Sequence, residues 1–296
     1  MELLDALDTV GDQQWLEKPS DSVQRAVSTV LHPPGPAGQR LDDVLNGTWL
    51  GHPLHPVLTD IPIGAWSVTL VLDIVESLTG RTELAPGADA ANVIGLVGAV
   101  GSAITGLSQW QYTIERPRRL GLLHALLNVG GAALYGASAV LRGTGRRGAG
   151  KVVGALGFAV VFVSAYIGGD LAYGERLGVT HVPEEQPPTE YTPALPEAEL
   201  PEGQMTRVEV GGVPVLLARQ NGAIYALGDV CAHLGGPLHE GTLEPGCVVC
   251  PWHGSRFALA DGSLINGPAT FPQPRYDARV RSGQIEVRMP PNPDNR

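Results

Sequence analysis

The sequence predicts an α-helical four-span transmembrane bundle followed by a small all-β domain. Three observations lead to this prediction. Long apolar runs fill the region between residues 57 and 169, a proline- and glutamate-rich segment follows at 181–201, and short alternating strands separated by glycine turns begin near residue 205. With 296 residues, the chain is long enough for two ordinary domains.

Four apolar segments are the candidate membrane spans, at 57–78, 91–114, 120–141 and 152–169. Because a helix rises about 1.5 Å per residue, segments of this length can cross a hydrocarbon core of about 30 Å. The first is the weakest, since Asp60, Asp73 and Glu76 interrupt it. Beside three stronger spans we interpret it as a fourth. A soluble bundle, the alternative, would need polar helix faces, which these segments almost lack.

The composition changes along the chain indicate five regions. We predict an N-terminal surface arm at 1–50, a four-helix membrane domain at 51–180 and a Pro/Glu-rich linker at 181–201. A β domain at 202–290 and a short tail at 291–296 complete the chain. The arm has neither a basic stretch nor an unbroken apolar run at its start, so we expect no signal peptide.

Charge and cysteine content limit the partners and the compartment. The net charge of −10 gives no basic face, so we expect membrane lipid and no nucleic acid as a partner. All three cysteines fall in one short stretch, which favours metal binding in a reducing compartment. Loop arginines and lysines balance on the two sides of the membrane. The reduced cysteines therefore lead us to expect a bacterial inner-membrane protein whose β domain is cytoplasmic.

The stretch CAHLGGPLHEGTLEPGCVVCPWHGSRF, at residues 231–257, holds the candidate metal ligands. They form two pairs, Cys231-x-His233 and Cys250-x-x-His253, with 16 residues between them. Thiolate and imidazole ligands suit zinc or iron. From the residues alone, the two pairs can hold one zinc ion tetrahedrally or two sulfide-bridged irons.

This stretch resembles the Rieske family in the segments CAHLGGPL and CPWHGSRF, and the later segment NGPATFPQP supports the same resemblance. The resemblance covers less than a third of the chain. It implies a [2Fe-2S] cluster in which Cys231 and Cys250 bind the inner iron, while His233 and His253 bind the outer, redox-active iron.

The resemblance also bears on the cluster's reduction potential. Gly236 and Trp252 stand where high-potential Rieske proteins place two disulfide-bonded cysteines, so no disulfide is expected, as in Rieske ferredoxins. Ser255 stands at the position of a hydroxyl that donates to a bridging sulfide, and Phe257 replaces a tyrosine that donates to a cysteine sulfur. Fewer donors to sulfur predict a low to intermediate potential.

Three histidines of the apolar half form a second candidate site. His52 and His55 lie in GHPLHPVLTDIPIGAW before the first span, and His124 lies near the start of the third. All three map to the predicted side of the β domain. Neutral imidazoles can ligate haem b or another metal, or bind a quinone, or simply lie in a proline-stiffened interfacial loop. This half resembles a family of uncharacterised four-span bacterial membrane proteins that share an HPxHP start, which implies no reaction.

Together these features predict a membrane-tethered protein that passes single electrons through a Rieske cluster between redox donor and acceptor proteins or quinone. Two alternatives remain open. One is a quinone- or haem-linked oxidoreductase whose helical domain carries out chemistry, and the other is a cluster-based redox sensor. The sequence leaves the oligomeric state open.

Overall fold

The computed structural model describes residue 11 and residues 13–291, and its contacts divide the chain into two compact units. The first unit holds the described residues up to 38 together with 53–177. The second holds 39–52 together with the residues from 178 onward. The predicted tail at 291–296 and the first residues of the predicted arm therefore lie almost wholly outside the described part.

Two short helices, α1 (Glu17–Leu31) and α2 (Pro36–Asn46), precede four long ones in the described part of the chain. The long helices are α3 (Leu54–Thr79), α4 (Ala85–Trp110), α5 (Glu115–Gly143) and α6 (Arg147–Gly169). Helix α3 ends where Gly80 adopts a left-handed conformation with φ 72°, which favours glycine. All four long helices are long and apolar enough to cross a membrane, which confirms the predicted helical bundle.

The first unit buries many polar side chains of its helices and exposes many large apolar ones. Polar residues of all four long helices are buried, among them Thr69, Asn92, Ser102, Ser138 and Ser164. Large apolar side chains on the same helices are exposed, among them Val71, Val97, Val129 and Phe162. A soluble bundle would bury its apolar side chains and expose its polar ones. The observed distribution agrees with four helices that are long and apolar enough to cross a membrane.

Helix α1, from the predicted surface arm, packs on the first unit. Its Gln24 is buried, and Nε2 of Gln24 donates to the carbonyl oxygens of Trp110 and Thr113, each at 2.9 Å. Glu17 at the start of α1 accepts from Nη1 of Arg119 at 2.9 Å and also pairs with Arg118. The arm thus has a defined helix that covers the connection between α4 and α5.

The second unit contains two antiparallel sheets. Its ten strands are β1 (Thr192–Pro196), β2 (Met205–Val210), β3 (Val213–Gln220), β4 (Ala223–Gly228), β5 (Thr242–Glu244), β6 (Cys247–Val249), β7 (Arg256–Ala258), β8 (Leu264–Asn266), β9 (Arg275–Arg281) and β10 (Gln284–Arg288). The larger sheet has the order β1-β10-β9-β4-β3-β2, and the smaller has the order β5-β6-β7-β8. The predicted all-β domain is confirmed. Hairpins at Asn221–Gly222 and Ser282–Gly283 have positive φ at both central residues, which the predicted glycine turns require.

Residues 39–52 lie with the β unit, although we predicted them to be part of a surface arm. Asp43 is the main contact. Its Oδ1 accepts from the main-chain N–H of Gly267 at 2.8 Å, and its Oδ2 accepts from Nδ2 of Asn266 at 3.3 Å. The hydroxyl of Thr48 donates to the carbonyl oxygen of Ala269 at 3.3 Å. These bonds join segments more than 200 residues apart, which no local sequence pattern reports.

Replacing Asp43 with alanine is expected to destabilise the β unit by about 1–3 kcal/mol, because two donors of the 266–269 loop lose their acceptor. Thermal unfolding of the full chain in detergent, followed by circular dichroism, measures this. The exposed neighbour Arg40 supplies the matched control, Arg40→Ala, which should unfold like the wild type. Equal melting of the two variants would show that Asp43 does not hold the loop.

The segment predicted as a linker, 181–201, is structured over much of its length. Strand β1 pairs with β10, Leu200 is buried in the core, and the carbonyl oxygen of Pro188 accepts from Met289 N–H at 2.9 Å. Prolines are compatible with this because β1 is an edge strand, where a missing N–H leaves no ladder bond unmade. The exact domain boundaries stay a prediction.

Candidate metal centre

Two loops of the β unit present the four predicted ligands, and the loops share one backbone pattern. In the first, Cys231 N–H donates to the Gly236 carbonyl at 2.8 Å and Gly235 N–H returns to the Cys231 carbonyl at 2.9 Å. In the second, Cys250 N–H donates to Ser255 at 2.8 Å and Gly254 N–H returns to Cys250 at 3.1 Å. Gly235 and Gly254 have φ of 81° and 76°, conformations that favour glycine. Each cysteine therefore begins an equivalent closed turn.

The four side chains converge as two pairs. Cys231 and Cys250 are buried and in hydrogen-bond contact with each other. His233 and His253 are partly buried, with their Nδ1 atoms 3.2 Å apart and their rings nearly perpendicular at 86°. Within residues 13–291, no three His, Cys, Asp or Glu side chains are placed to hold one ion together. A sulfur pair beside a nitrogen pair fits two metal ions with two protein ligands each better than one tetrahedral zinc.

The surroundings of these groups set their protonation. Burial is the main cause that lowers the pKa of both His233 and His253, so both imidazoles are neutral and able to ligate. The hydrogen bond between the thiols raises the pKa of Cys231 and lowers the pKa of Cys250 to about 7. One thiolate is thus available near neutral pH, and a bound metal would take the second.

Gly236 and Trp252 are neighbours in space, as the resemblance to disulfide-bearing relatives implies. A Cβ atom placed on Gly236 would lie 3.0 Å from Sγ of Cys250 and 3.0 Å from Cδ2 of Trp252. The indole of Trp252 therefore fills the space that a side chain at position 236 would otherwise occupy. Trp252 remains 53% exposed beside His253, so the nitrogen pair lies near the surface while the sulfur pair is buried.

A third loop, residues 266–273, braces the two ligand loops. The carboxamide of Gln273 is buried, and its Oε1 accepts from Ala232 N–H at 2.8 Å. Its Nε2 donates to the carbonyl oxygens of Gly228 and Val230 at 2.8 and 2.9 Å. Gln273 lies in the segment NGPATFPQP, and its bracing role was not predicted. The sequence pattern that could have indicated this role is the position of Gln273 between two prolines.

His181, which follows the last apolar segment in the sequence, also lies near the centre. Its main-chain N–H donates to the Ala232 carbonyl at 3.1 Å, and its Nδ1 lies 3.9 Å from the position of a Cβ on Gly235. The start of the predicted linker is thereby attached to the first ligand loop. The leftover Cys247 is buried on β6, where burial raises the pKa of its thiol.

The three histidines of the second candidate site fall in different places. His55 on α3 and His124 on α5 both belong to the first unit, where the Nδ1 atoms contact the carbonyl oxygens of Ser102 and Ser164 at 2.9 and 2.8 Å. His52 is exposed and belongs to the segment grouped with the second unit. His55 and His124 are therefore the members that share one packed helical unit.

Two family models match the chain in adjacent regions. Residues 190–277 match the Rieske [2Fe-2S] domain, and residues 51–181 match DUF2231, described as a predicted membrane protein. The second match agrees with the four long apolar helices.

Curated relatives match the β unit. The 3-phenylpropionate/cinnamic acid dioxygenase ferredoxin subunit of Escherichia coli (strain K12) is 36% identical over 98 residues, which are 33% of this chain and 92% of that protein. Apoptosis-inducing factor 3 of Mus musculus is 38% identical over 90 residues, which are 30% of this chain, and the chain spans 15% of its length. Among solved structures, the ferredoxin of carbazole 1,9a-dioxygenase from Nocardioides aromaticivorans IC177 aligns over 34% of this chain and 98% of its own, with 25% identity and a TM-score of 0.33.

Proposed function

Because this chain belongs to the Rieske [2Fe-2S] family through its β unit, we propose that it is a membrane-attached carrier of single electrons. Cys231 and Cys250 hold the inner iron of the cluster, and His233 and His253 hold the outer iron. The observation that carries this assignment is the convergence of two equivalent loops, with the sulfur atoms paired inside and the Nδ1 atoms paired 3.2 Å apart near the surface. When bound, the cluster accepts and returns one electron.

The chain's own residues determine how the cluster exchanges electrons. Burial keeps the cysteine side away from water, while the partly exposed His233 and His253 give a partner a short path to the outer iron. The Escherichia coli relative is named as the ferredoxin subunit of a dioxygenase. We infer by analogy that this chain also passes electrons between separate redox proteins, or between such a protein and a membrane quinone.

A redox titration of the purified full chain in detergent, followed by electron paramagnetic resonance (EPR), tests this function. We expect a reversible couple whose slope corresponds to one electron, with iron and acid-labile sulfide in equal amounts. Elemental analysis that finds zinc and no iron would contradict the proposal. So would a cluster that cannot be re-oxidised without loss.

Two substitutions beside the ligands are expected to shift the potential in opposite directions. Ser255 is fully buried and its Oγ accepts from Ala269 N–H at 3.0 Å, which leaves the hydroxyl proton for the cluster. Ser255→Ala removes a donor to sulfur and should lower the midpoint potential, whereas Phe257→Tyr adds one and should raise it. The same EPR titration measures both.

The remote variant Arg40→Ala is the control for this pair and should leave the midpoint unchanged. A Ser255→Ala midpoint equal to that of the wild type would mean that the hydroxyl does not reach the cluster.

For location, we propose the bacterial inner membrane, with the β unit in the cytoplasm. The four long apolar helices and the buried polar groups between them support attachment by the first unit. The free cysteines support a reducing compartment. Green fluorescent protein fused to the C-terminus should fluoresce, and alkaline phosphatase at the same place should be inactive. The opposite pair of results would place the β unit outside.

A second candidate function is a quinone- or haem-linked oxidoreductase in which His55 and His124 of the helical unit contribute a redox site. The observation that favours it is the pair of fixed imidazoles, His55 and His124, inside the apolar unit. A soluble quinol mixed with the oxidised full chain would then reduce the cluster in the wild type and not in the His55→Ala variant. Equal reduction in both would leave the carrier function as the sole one supported.

A further inference from the structure

The helical unit consists of two helix pairs that repeat each other. Helices α3 and α5 align with a constant offset of 69 positions, which superimposes His55 on His124, Trp66 on Tyr135, Thr69 on Ser138 and Asp73 on Arg142. Helices α4 and α6 align with an offset of 62, which superimposes Ala88 on Gly150, Gly95 on Gly157, Ser102 on Ser164 and Gly106 on Gly168. The two helix pairs share few identical residues, so the contacts that they make are the main evidence for the repeat.

The histidine contacts are the same in the two repeats. Nδ1 of His55 lies 2.9 Å from the Ser102 carbonyl oxygen, and a Cβ on Gly106 would lie 2.7 Å from Cε1 of the ring. Nδ1 of His124 lies 2.8 Å from the Ser164 carbonyl oxygen, and a Cβ on Gly168 would lie 3.0 Å from Cε1. Each imidazole therefore sits over a glycine one turn after the carbonyl that it contacts.

Two further contacts recur at equivalent positions. The hydroxyl of Thr69 donates to the Ala88 carbonyl at 3.4 Å, and that of Ser138 donates to the Gly150 carbonyl at 2.6 Å. A Cβ on Gly95 would meet the indole of Trp66 at 2.2 Å, and one on Gly157 would meet the ring of Tyr135 at 3.1 Å. Three independent levels of the bundle thus follow the same offsets, which chance spacing does not explain.

The two repeats meet across their equivalent residues. The rings of Trp66 and Tyr135 stack with centroids 4.2 Å apart and planes 4° apart. Nη1 of Arg142 donates to Oδ1 of Asp73 at 2.9 Å. Equivalent residues that touch each other must lie beside a local two-fold axis, which here runs between α3 and α5.

The histidines lie on the same helix face as these contacts. Positions 11 and 18 residues after a given residue return to nearly the same face, because a helix has about 3.6 residues per turn. In α3 these positions are Trp66 and Asp73 relative to His55, and in α5 they are Tyr135 and Arg142 relative to His124. His55 and His124 thus lie on the faces of α3 and α5 that are turned toward the axis.

The backbone contacts decide which nitrogen each ring offers. A carbonyl oxygen only accepts, so Nδ1 of each imidazole carries the proton and Nε2 carries the lone pair. A second contact supports this assignment for His124. Nδ2 of Asn128 lies 3.0 Å from Nε2 of His124, and because an amide nitrogen donates, this Nε2 accepts. A ring that donates Nδ1–H to a backbone carbonyl and offers Nε2 has the arrangement of a metal-ligating histidine. Quinone carbonyls, in contrast, need donors, which two Nε2 lone pairs do not supply.

We propose that His55 and His124, one from each repeat, bind a single transition-metal centre through their Nε2 atoms on the local two-fold axis. The metal is a haem iron or a bare d-block ion, and His52 is not a ligand. The proposal refines the second candidate function and does not depend on the cluster. Gly106 and Gly168 are positioning residues that leave room for the rings, and the metal displaces the amide of Asn128.

The test uses the full chain with both cluster cysteines replaced, Cys231→Ser and Cys250→Ser, purified in detergent. We expect one equivalent of a transition metal per chain by elemental analysis. A Soret band identifies haem, and metal without a Soret band identifies a bare ion. The wild-type chain serves as a second sample and should hold one metal beyond the two irons of the cluster. The proposal is overturned if the cysteine variant holds no metal and the wild-type chain holds none besides the two irons of the cluster.

Histidine variants locate the metal. His55→Ala and His124→Ala should each lower metal occupancy by at least about tenfold, since loss of a ligand exceeds the 10- to 100-fold cost of losing a supporting hydrogen bond. His52→Ala should retain the metal. Added imidazole should restore occupancy to His124→Gly, which separates a lost ligand from a misfolded bundle. Equal occupancy in His52→Ala and His124→Ala would contradict the assignment.

Glycine variants test the positioning residues in the same assay. Gly168→Ala should reduce occupancy, because its Cβ would displace the imidazole of His124. Gly136→Ala on α5 is the matched control, since nothing lies within 4 Å of its Cβ. EPR of the wild-type cluster is read separately, so failure of the Rieske assignment and failure of the two-imidazole site are distinguishable.

Discussion

Replacing Cys250 with serine is expected to abolish the cluster, with at least about a tenfold loss of bound iron relative to the wild type. Serine keeps the size of the side chain but removes the thiolate that holds the inner iron. Because Cys250 and Cys231 are buried in contact with each other, neighbouring groups offer no substitute sulfur on that side. Iron content and the EPR signal of the reduced protein measure the loss.

Cys247→Ser is the matched control, because Cys247 is also buried and lies three residues away. Cys247 pairs with Glu244 on β5 and Ala258 on β7, and its charged neighbours are Glu244 and Arg256, so it belongs to the smaller sheet and not to a ligand loop. This variant should keep the iron and the EPR signal. Loss of the cluster in Cys247→Ser together with its retention in Cys250→Ser would reverse the ligand assignment.

Replacing Arg142 with leucine is expected to destabilise the helical unit by about 3–5 kcal/mol, because it leaves the buried carboxylate of Asp73 without its main partner. The side chains of Arg142 and Asp73 are 2% and 7% exposed, and Arg142 also pairs with Asp89 at 3.1 Å. Unfolding of the detergent-solubilised chain by sodium dodecyl sulfate measures the change.

The double variant Asp73→Leu/Arg142→Leu should recover most of this loss, because it removes both buried charges together. Arg81→Ala is the control, since Arg81 pairs with Glu83 where both side chains are about 60% exposed, and water screens such a pair so that its loss should leave stability unchanged. If the double variant were less stable than Arg142→Leu, the pair would not be the source of the effect.

Local patterns were sufficient to predict most of the architecture. Uncharged runs such as 91–114 predict membrane helices because their composition excludes a polar face. The strands QIEVR and RVEV were predictable because apolar and polar residues alternate within each of them and a glycine turn lies next to each in the sequence. The pairs Cys231/His233 and Cys250/His253 could be predicted for the same reason, since each pair lies within one short loop.

Features made by distant residues were not predictable in this way. Asp43 contacts Gly267, and Gln273 braces the loop of Cys231, yet neither spacing forms a recognisable pattern. The repeat that relates His55 to His124 keeps its contacts while exchanging Trp66 for Tyr135 and Asp73 for Arg142. A stacked pair and an ion pair need complementary partners and not identical ones, so sequence similarity between the repeats is low.

We infer that one reducible two-iron cluster is bound by two cysteines and two histidines. Pulsed EPR of the reduced full chain, made with ¹⁵N-labelled histidine in an otherwise unlabelled protein, tests it most directly. We expect strong couplings to two ¹⁵N nuclei, which disappear together with the cluster signal in Cys250→Ser. A reduced cluster without coupled ¹⁵N nuclei would show that His233 and His253 are not ligands and would contradict the proposed cluster.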